Sequence, residues 1–198
     1  NLEASGIIKN QFASEPGTVM TQIAFRIDAD AHIGSGHFMR CLTLANELKQ
    51  KGAKCKFLCL SIHPSLQIQA TDQGHSFQVF PDEQDIIRHL ESNQPDWLVI
   101  DHYLLDDPFE QTVAAFCGAV MVIEDLDRPN HTCTLLLDQS ALKTPADYAD
   151  VVSPDCALLL GPKYALLRPE FREHKKKLAS GWTRGLICFG GADPDNIS

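Results

Sequence analysis

From residue 22 to residue 123 the chain alternates short apolar runs with longer segments whose apolar residues recur every three or four positions. The short runs, at residues 23–27, 56–60, 77–80, 97–100 and 119–123, predict β-strands. The longer segments, at residues 38–51, 65–73, 83–92 and 108–116, predict helices. In the first of these Cys41, Leu44, Ala45 and Leu48 share one face, and Gly52 supplies the stop. Strands alternating with helices of about ten residues specify a parallel sheet covered on both faces, wound right-handed, because each crossover must carry the chain back over the sheet. The expected fold class is a doubly wound, Rossmann-like α/β domain. In such sheets ligands bind beyond the carboxyl ends of the strands, so the loops after Ile27, Ile100 and Ile123 are where chemistry is expected.

The regular cycle ends near Thr134. Short apolar runs at residues 135–137 and 157–160, interrupted by Pro145, Pro154 and Pro162, predict edge strands and loops that finish the sheet. Residues 169–184 read as a polar linking helix, whose basic stretch 174–177 is a solvated face rather than a phosphate site. Residues 185–198 read as a first strand and glycine loop of a further α/β domain. Residues 1–19, polar and aperiodic with Pro16 and Gly17 before Met20, read as a tail or linker, leaving 20–168 as the main domain.

Composition narrows the function classes. With 44% apolar and 22% charged residues the 198-residue chain can bury one well-formed core. A net charge of -9 argues against a general nucleic-acid binder, which needs a basic footprint. No apolar run approaches the roughly 18 residues of a membrane span, and no secretory pattern opens the chain, so a cytoplasmic location is the default expectation. The seven cysteines are odd in number and lie mostly in apolar segments, as small core residues of a reducing compartment do. Cys55 and Cys59, if on one strand, stand about 13 Å apart, too far to share a ligand.

The segment from Arg26 to Leu42 carries the richest chemistry. It joins the first strand to the first helix and holds Asp28, His32, Gly34, Ser35, Gly36, His37 and Arg40. Gly34 and Gly36 let backbone approach a ligand, and the free N–H groups of the helix start favour an anion. The loop is neither a Walker A sequence nor a full dinucleotide fingerprint. At the start of a helix the macrodipole disfavours the imidazolium form, so His37 is equipped to accept a proton from water, or else merely caps the helix. Arg40, one turn on, pairs with Asp28 or Asp101 or touches a phosphate. Asp28 orients the loop or an imidazole, and His32 and Ser35 rank behind. Asp101 and Tyr103 follow the strand at 97–100 and reach the same edge, Asp101 as a cap or to fix a ring, Tyr103 to hold a sugar group. The cluster Glu124, Asp125 and Asp127 is only loosely metal-like, and neither a metal nor a cofactor is expected.

Taken in order, Arg26-x-Asp28, Ile33-Gly34-x-Gly36-His37, Arg40, Ile100-Asp101-His102-Tyr103, Asp147-Tyr148, Gly161 with Tyr164-Ala165-Leu166 and Arg168, and Phe189-Gly190-Gly191-x-Asp193 with Asn196 resemble the UDP-2,4-diacetamido-2,4,6-trideoxy-β-L-altropyranose hydrolases. These bacterial enzymes act in pseudaminic acid biosynthesis within the glycosyltransferase-B superfamily. The resemblance implies that the domain is the N-terminal half of a two-domain fold with the site in the cleft. His37 would activate water, Tyr103 would help hold the sugar, and the missing C-terminal domain would grip UDP. It also implies that the polypeptide alone is inactive or nearly so, since the remote nucleotide positions the reacting centre. The rival expectations are a glycosyltransferase of the same architecture and a non-catalytic nucleotide-sugar-binding module.

Overall fold

A computed structural model describes residues 20–30, 33–126 and 128–173. Seven strands form one sheet in the order β3-β2-β1-β4-β5-β6-β7, and every neighbouring pair is parallel. They are β1 (Gln22–Ile27), β2 (Lys54–Cys59), β3 (Ser76–Val79), β4 (Trp97–Asp101), β5 (Ala119–Ile123), β6 (Leu135–Asp138) and β7 (Ala157–Leu160). The connecting helices are α1 (Gly36–Gln50), α2 (Pro64–Asp72), α3 (Glu83–Asn93) and α4 (Asp107–Ala114), and a short α5 (Glu170–Glu173) follows β7. The doubly wound, Rossmann-like α/β expectation is met. The expected tail at 1–19, the rest of the linking helix, the strand at 185–198, and His32 lie outside the described residues.

Period-two alternation divides the strand residues between two cores. Ile23, Phe25 and Ile27 of β1 pack with Phe57, Val99 and Met121 under Cys41, Leu44, Ala45 and Leu48 of α1. Ala24, Leu58, Leu98, Ile100, Val120 and Val122 face the other way, under Ile86 and Leu90 of α3 and Val113 of α4. Each fully buried aliphatic side chain contributes about 1.5–3 kcal/mol, so both faces are committed to their helices.

Most boundaries shift by one or two residues from the hydrophobic pattern, and three of these shifts bear on the site or its neighbours, where backbone hydrogen bonding rather than apolarity sets the ends. Helix α1 reaches back to Gly36, since the Ser35 carbonyl already accepts the Met39 amide at 2.9 Å. Strand β4 includes Asp101, which pairs in register with Ile27, and β6 includes Asp138, paired with Leu160. Among the described residues the link from β5 to β6 contains no helix. Residues 128–134 instead run beside α4 and are pinned by a buried ion cluster. The His131 side chain, 0% exposed, sits with Nδ1 2.9 Å from Glu110 Oε1 of α4 and Nε2 2.9 Å from Glu124 Oε2 at the end of β5. The second contact is an ion pair without the alignment of a directed hydrogen bond. Burial alone would lower the His131 pKa, but Glu110 and Glu124 outweigh it and raise it to about 9.

Candidate active site at the switch of strand order

Chain order reverses between β1 and β4, the two central strands, so their connections leave in opposite directions and open a crevice at their carboxyl ends. Arg26 pairs with Ile100 and Ile27 with Asp101. The loop leaving β1 therefore stands directly beside the end of β4.

That loop is tied to itself before the helix begins. The Ile33 amide donates to Asp30 Oδ1 at 2.9 Å and the Gly34 amide to the Asp30 carbonyl at 2.8 Å, and Gly34 then turns the chain into the helix with a positive φ of 82° that glycine adopts readily. Gly36 is exposed, and a side chain added there would meet nothing within 4 Å. Ser35 occupies the N-cap position, but its side chain makes no capping bond, so the first amides of α1 keep their donors.

His37 and Arg40, one turn apart on α1, both reach Asp101. His37 Nδ1 lies 2.6 Å from Asp101 Oδ1, Arg40 Nε donates to Oδ2 at 2.6 Å, and Arg40 Nη2 donates to Oδ1. Arg40 Nη1 also donates to Asp125 Oδ2 at 2.8 Å, in the loop after β5. Asp101 is 0% exposed. Burial alone would raise its pKa, but hydrogen bonds from Arg40 and His37 prevail and hold it below the usual carboxylate range. Burial disfavours the Arg40 charge in the same way, and Asp101 and Asp125 overcome it to raise its pKa.

An ionised carboxylate only accepts, so the short contact requires a proton on His37 Nδ1. Arg40 Nη2, 3.3 Å from the same nitrogen, then acts as a neighbour rather than a donor to it. Nε2 has no hydrogen-bond partner among the described residues. The Tyr103 ring meets the imidazole edge-on, 4.3 Å between centroids at 80°, and is 48% exposed. Burial and the negative charge of Asp125 raise its phenol pKa.

Of the residues expected at the site, Gly34, Ser35, Gly36, His37, Arg40, Asp101 and Tyr103 meet at this one edge. Arg40 takes Asp101 rather than Asp28. Asp28 belongs to a separate buried cluster: its Oδ2 accepts from Arg26 at 2.9 Å and from His102 Nε2 at 3.0 Å, and its Oδ1 accepts the Leu60 and Ser61 amides. Burial raises the Asp28 pKa, but His102 and Arg26 bring it down to about 2. The loop after β5 also divides. Asp125 joins the site, while Glu124 accepts the Asp125 and Leu126 amides and Arg128 Nε. Asp125's role was hidden in sequence because it depends on the reach of Arg40 across the sheet. Its only sequence signal is position, directly beyond a central strand. No group of three or more His, Cys, Asp or Glu suited to a metal occurs among the described residues, and no helix there is long and apolar enough to cross a membrane.

The arrangement defines a class: a doubly wound α/β domain with a carboxylate-oriented histidine at its switch point. Over 178 residues the chain is 28% identical to the UDP-2,4-diacetamido-2,4,6-trideoxy-beta-L-altropyranose hydrolase of Campylobacter jejuni, a match covering 89% of this chain and 63% of that protein. It is 27% identical over 189 residues to an uncharacterized protein of Methanocaldococcus jannaschii, covering 89% of this chain and 38% of that one. The chain thus spans less than two thirds of the length of either relative. The resemblance to the hydrolase seen in the motifs is therefore carried by overall sequence similarity as well. No family model matches the chain. Among solved structures, 2R,3R-butanediol dehydrogenase from Bacillus subtilis matches with a TM-score of 0.39 at 13% identity, over 85% of this chain and 44% of that one, a likeness that carries no argument.

Proposed function

We propose that the protein hydrolyses a UDP-activated 2,4-diacetamido-2,4,6-trideoxy sugar to UDP and the free sugar, as a step in pseudaminic acid formation. The observation that carries this is the His37–Asp101 contact of 2.6 Å with Nε2 left open at the switch point. Water held by Nε2 gives up its proton as its oxygen attacks the anomeric carbon. The C–O bond to the diphosphate breaks on the opposite face, so the configuration inverts. Asp101 keeps Nδ1–H in place and offsets the charge that forms on the ring. Because a diphosphate departs readily, one base suffices where ordinary glycosidases need two carboxylates. The exposed first amides of α1, near Gly34, Ser35 and Gly36, suit an oxygen that gains charge. Tyr103 offers a ring face and a hydroxyl to the sugar.

We take this domain to be the base-bearing half of a glycosyltransferase-B arrangement, with the nucleotide gripped mainly by a C-terminal domain of the whole protein. The test is UDP release from the trideoxy UDP-sugar by the whole protein in ¹⁸O-labelled water. The expected result is label in the sugar C1 hydroxyl and none in UDP, with release lost in His37→Gln. Label in UDP, or release that requires an added sugar acceptor, overturns hydrolysis at carbon.

A further inference from the structure

Six cysteines lie among the described residues, all as free thiols, and two of them face each other. Cys133, just before β6, and Cys156, the residue before β7, hold their sulfurs 3.6 Å apart. The backbone around them is fixed, for the Thr134 amide donates to Val120 and the Ala157 amide to the Thr134 carbonyl, both within 2.9 Å. Neighbouring strands run about 4.8 Å apart, inside the Cα separation a disulfide spans, so bonding needs side-chain movement only. Both residues are half-buried, and a cavity of about 350 Å³ lined by Cys117, His131, Cys133 and Ser153 gives small molecules a way in.

We propose that Cys133 and Cys156 are an oxidisable dithiol, which a hydroperoxide converts to a reversible disulfide between the starts of β6 and β7. The Sγ–Sγ contact of 3.6 Å is common to both thiols, and Cys156 Sγ also donates to the Ala157 carbonyl at 3.6 Å, so either sulfur can react first once it loses its proton. That thiolate attacks the terminal peroxide oxygen; the O–O bond breaks, water or alcohol leaves, and the cysteine becomes a sulfenic acid. The other sulfur then attacks it, the S–O bond breaks and water leaves. Two thiols lose two electrons in all, and one peroxide gains them. Cys117 is an internal control, being half-buried like the pair, with burial pushing its thiol up to about 12.

The test treats the reduced whole protein with stoichiometric hydrogen peroxide and maps its peptides by mass. The expected result is a linked Cys133–Cys156 peptide, 2 Da lighter than the two reduced peptides together, that dithiothreitol separates. In Cys133→Ser and in Cys156→Ser the link is lost and the remaining sulfur stops at a sulfenic acid that dimedone captures. After peroxide, iodoacetamide still alkylates Cys117 of the unmodified protein but neither Cys133 nor Cys156, a readout independent of how either variant folds. A disulfide joining either sulfur to another cysteine, or Cys133 and Cys156 still alkylated after peroxide, overturns the proposal.

Discussion

The domain contains two buried histidine clusters built from the same kinds of group, and only one has the means to do chemistry. His37 has Asp101, Arg40 and Asp125; His131 has Glu110, Glu124 and Arg128. In the second cluster both ring nitrogens face carboxylates, so the ring is held as a cation and pins a crossover that has no helix. In the first, Arg40 engages Asp101 through two nitrogens and supplies the positive charge, and the imidazole meets the carboxylate through Nδ1 alone. What separates the two is where the arginine sits, not which residues are present. In the first cluster it binds the carboxylate that holds the histidine on the oriented side, whereas Arg128 binds Glu124 and leaves Glu110 to the ring and the Thr132 amide.

The largest effect that would break this comparison is at His37. His37→Gln keeps the shape and a donor toward Asp101 but removes the basic nitrogen. The expected loss in kcat is on the order of 10²- to 10⁴-fold, with little change in thermal stability. Turnover within a few-fold of wild type would reduce His37 to a part of the loop, like His131 in its own place.

His131→Gln should do the reverse. It leaves Glu110 and Glu124 buried without a cation between them, at a cost of about 3 kcal/mol in unfolding free energy, while turnover per folded molecule changes far less. The pH dependence has a definite sign. A pKa raised on folding contributes stability fully present below the unfolded value of about 6.5 and lost as pH rises through about 9. Urea unfolding of wild type and variant at pH 6, 8 and 10 reads it directly: the gap between the two should shrink toward pH 10. A gap constant with pH would mean that His131 acts through packing alone.

Asp101→Asn sharpens the first half of the comparison. The asparagine can present its amide nitrogen to Nδ1 and so favour the other tautomer, and it leaves Arg40 with half its charge compensation. The expected loss is roughly 10- to 100-fold in kcat, the scale of groups that orient a functional histidine. Asp101 also dictates an acid limit. Its pKa is lowered on folding, so its stabilising contribution is present above the usual carboxylate range and falls away as pH drops through the lowered value. Wild type should lose stability on acidification more steeply than Asp101→Asn.

Much of the first cluster was legible in sequence, and almost none of the second. Gly34, Gly36 and His37 sit where a strand becomes a helix, and Asp101 where the next central strand ends, so alternation of strands and helices alone brings them to one edge. That Arg40 chooses Asp101 over Asp28 was not legible. Arg26, 0% exposed on the opposite face of β1, claims Asp28 first, and which face a charged strand residue takes is decided by Glu83 in a later helix. His131 gave no signal because its partners lie 21 and 7 residues away in elements whose packing, not spacing, joins them. The missing helix between β5 and β6 left the same gap, for residues 124–134 have no period to read.

The smallest expected effect is at Tyr103, and it asks which part of that side chain the site uses. The ring stacks edge-on against His37, whereas the phenol lies within the field of Asp125, which also holds Arg40. Tyr103→Phe keeps the ring contact and gives up one hydrogen bond to the sugar, about 1 kcal/mol, so a rise in KM of up to about fivefold with kcat nearly intact is expected. Tyr103→Ala removes the ring as well and frees the imidazole to turn away from the crevice, which should lower kcat further. If phenylalanine and alanine behave alike, the hydroxyl carries the whole contribution, through the sugar or through Asp125. A Phe variant equal to wild type assigns it to the ring, as a wall that keeps Nε2 aimed at the sugar's carbon.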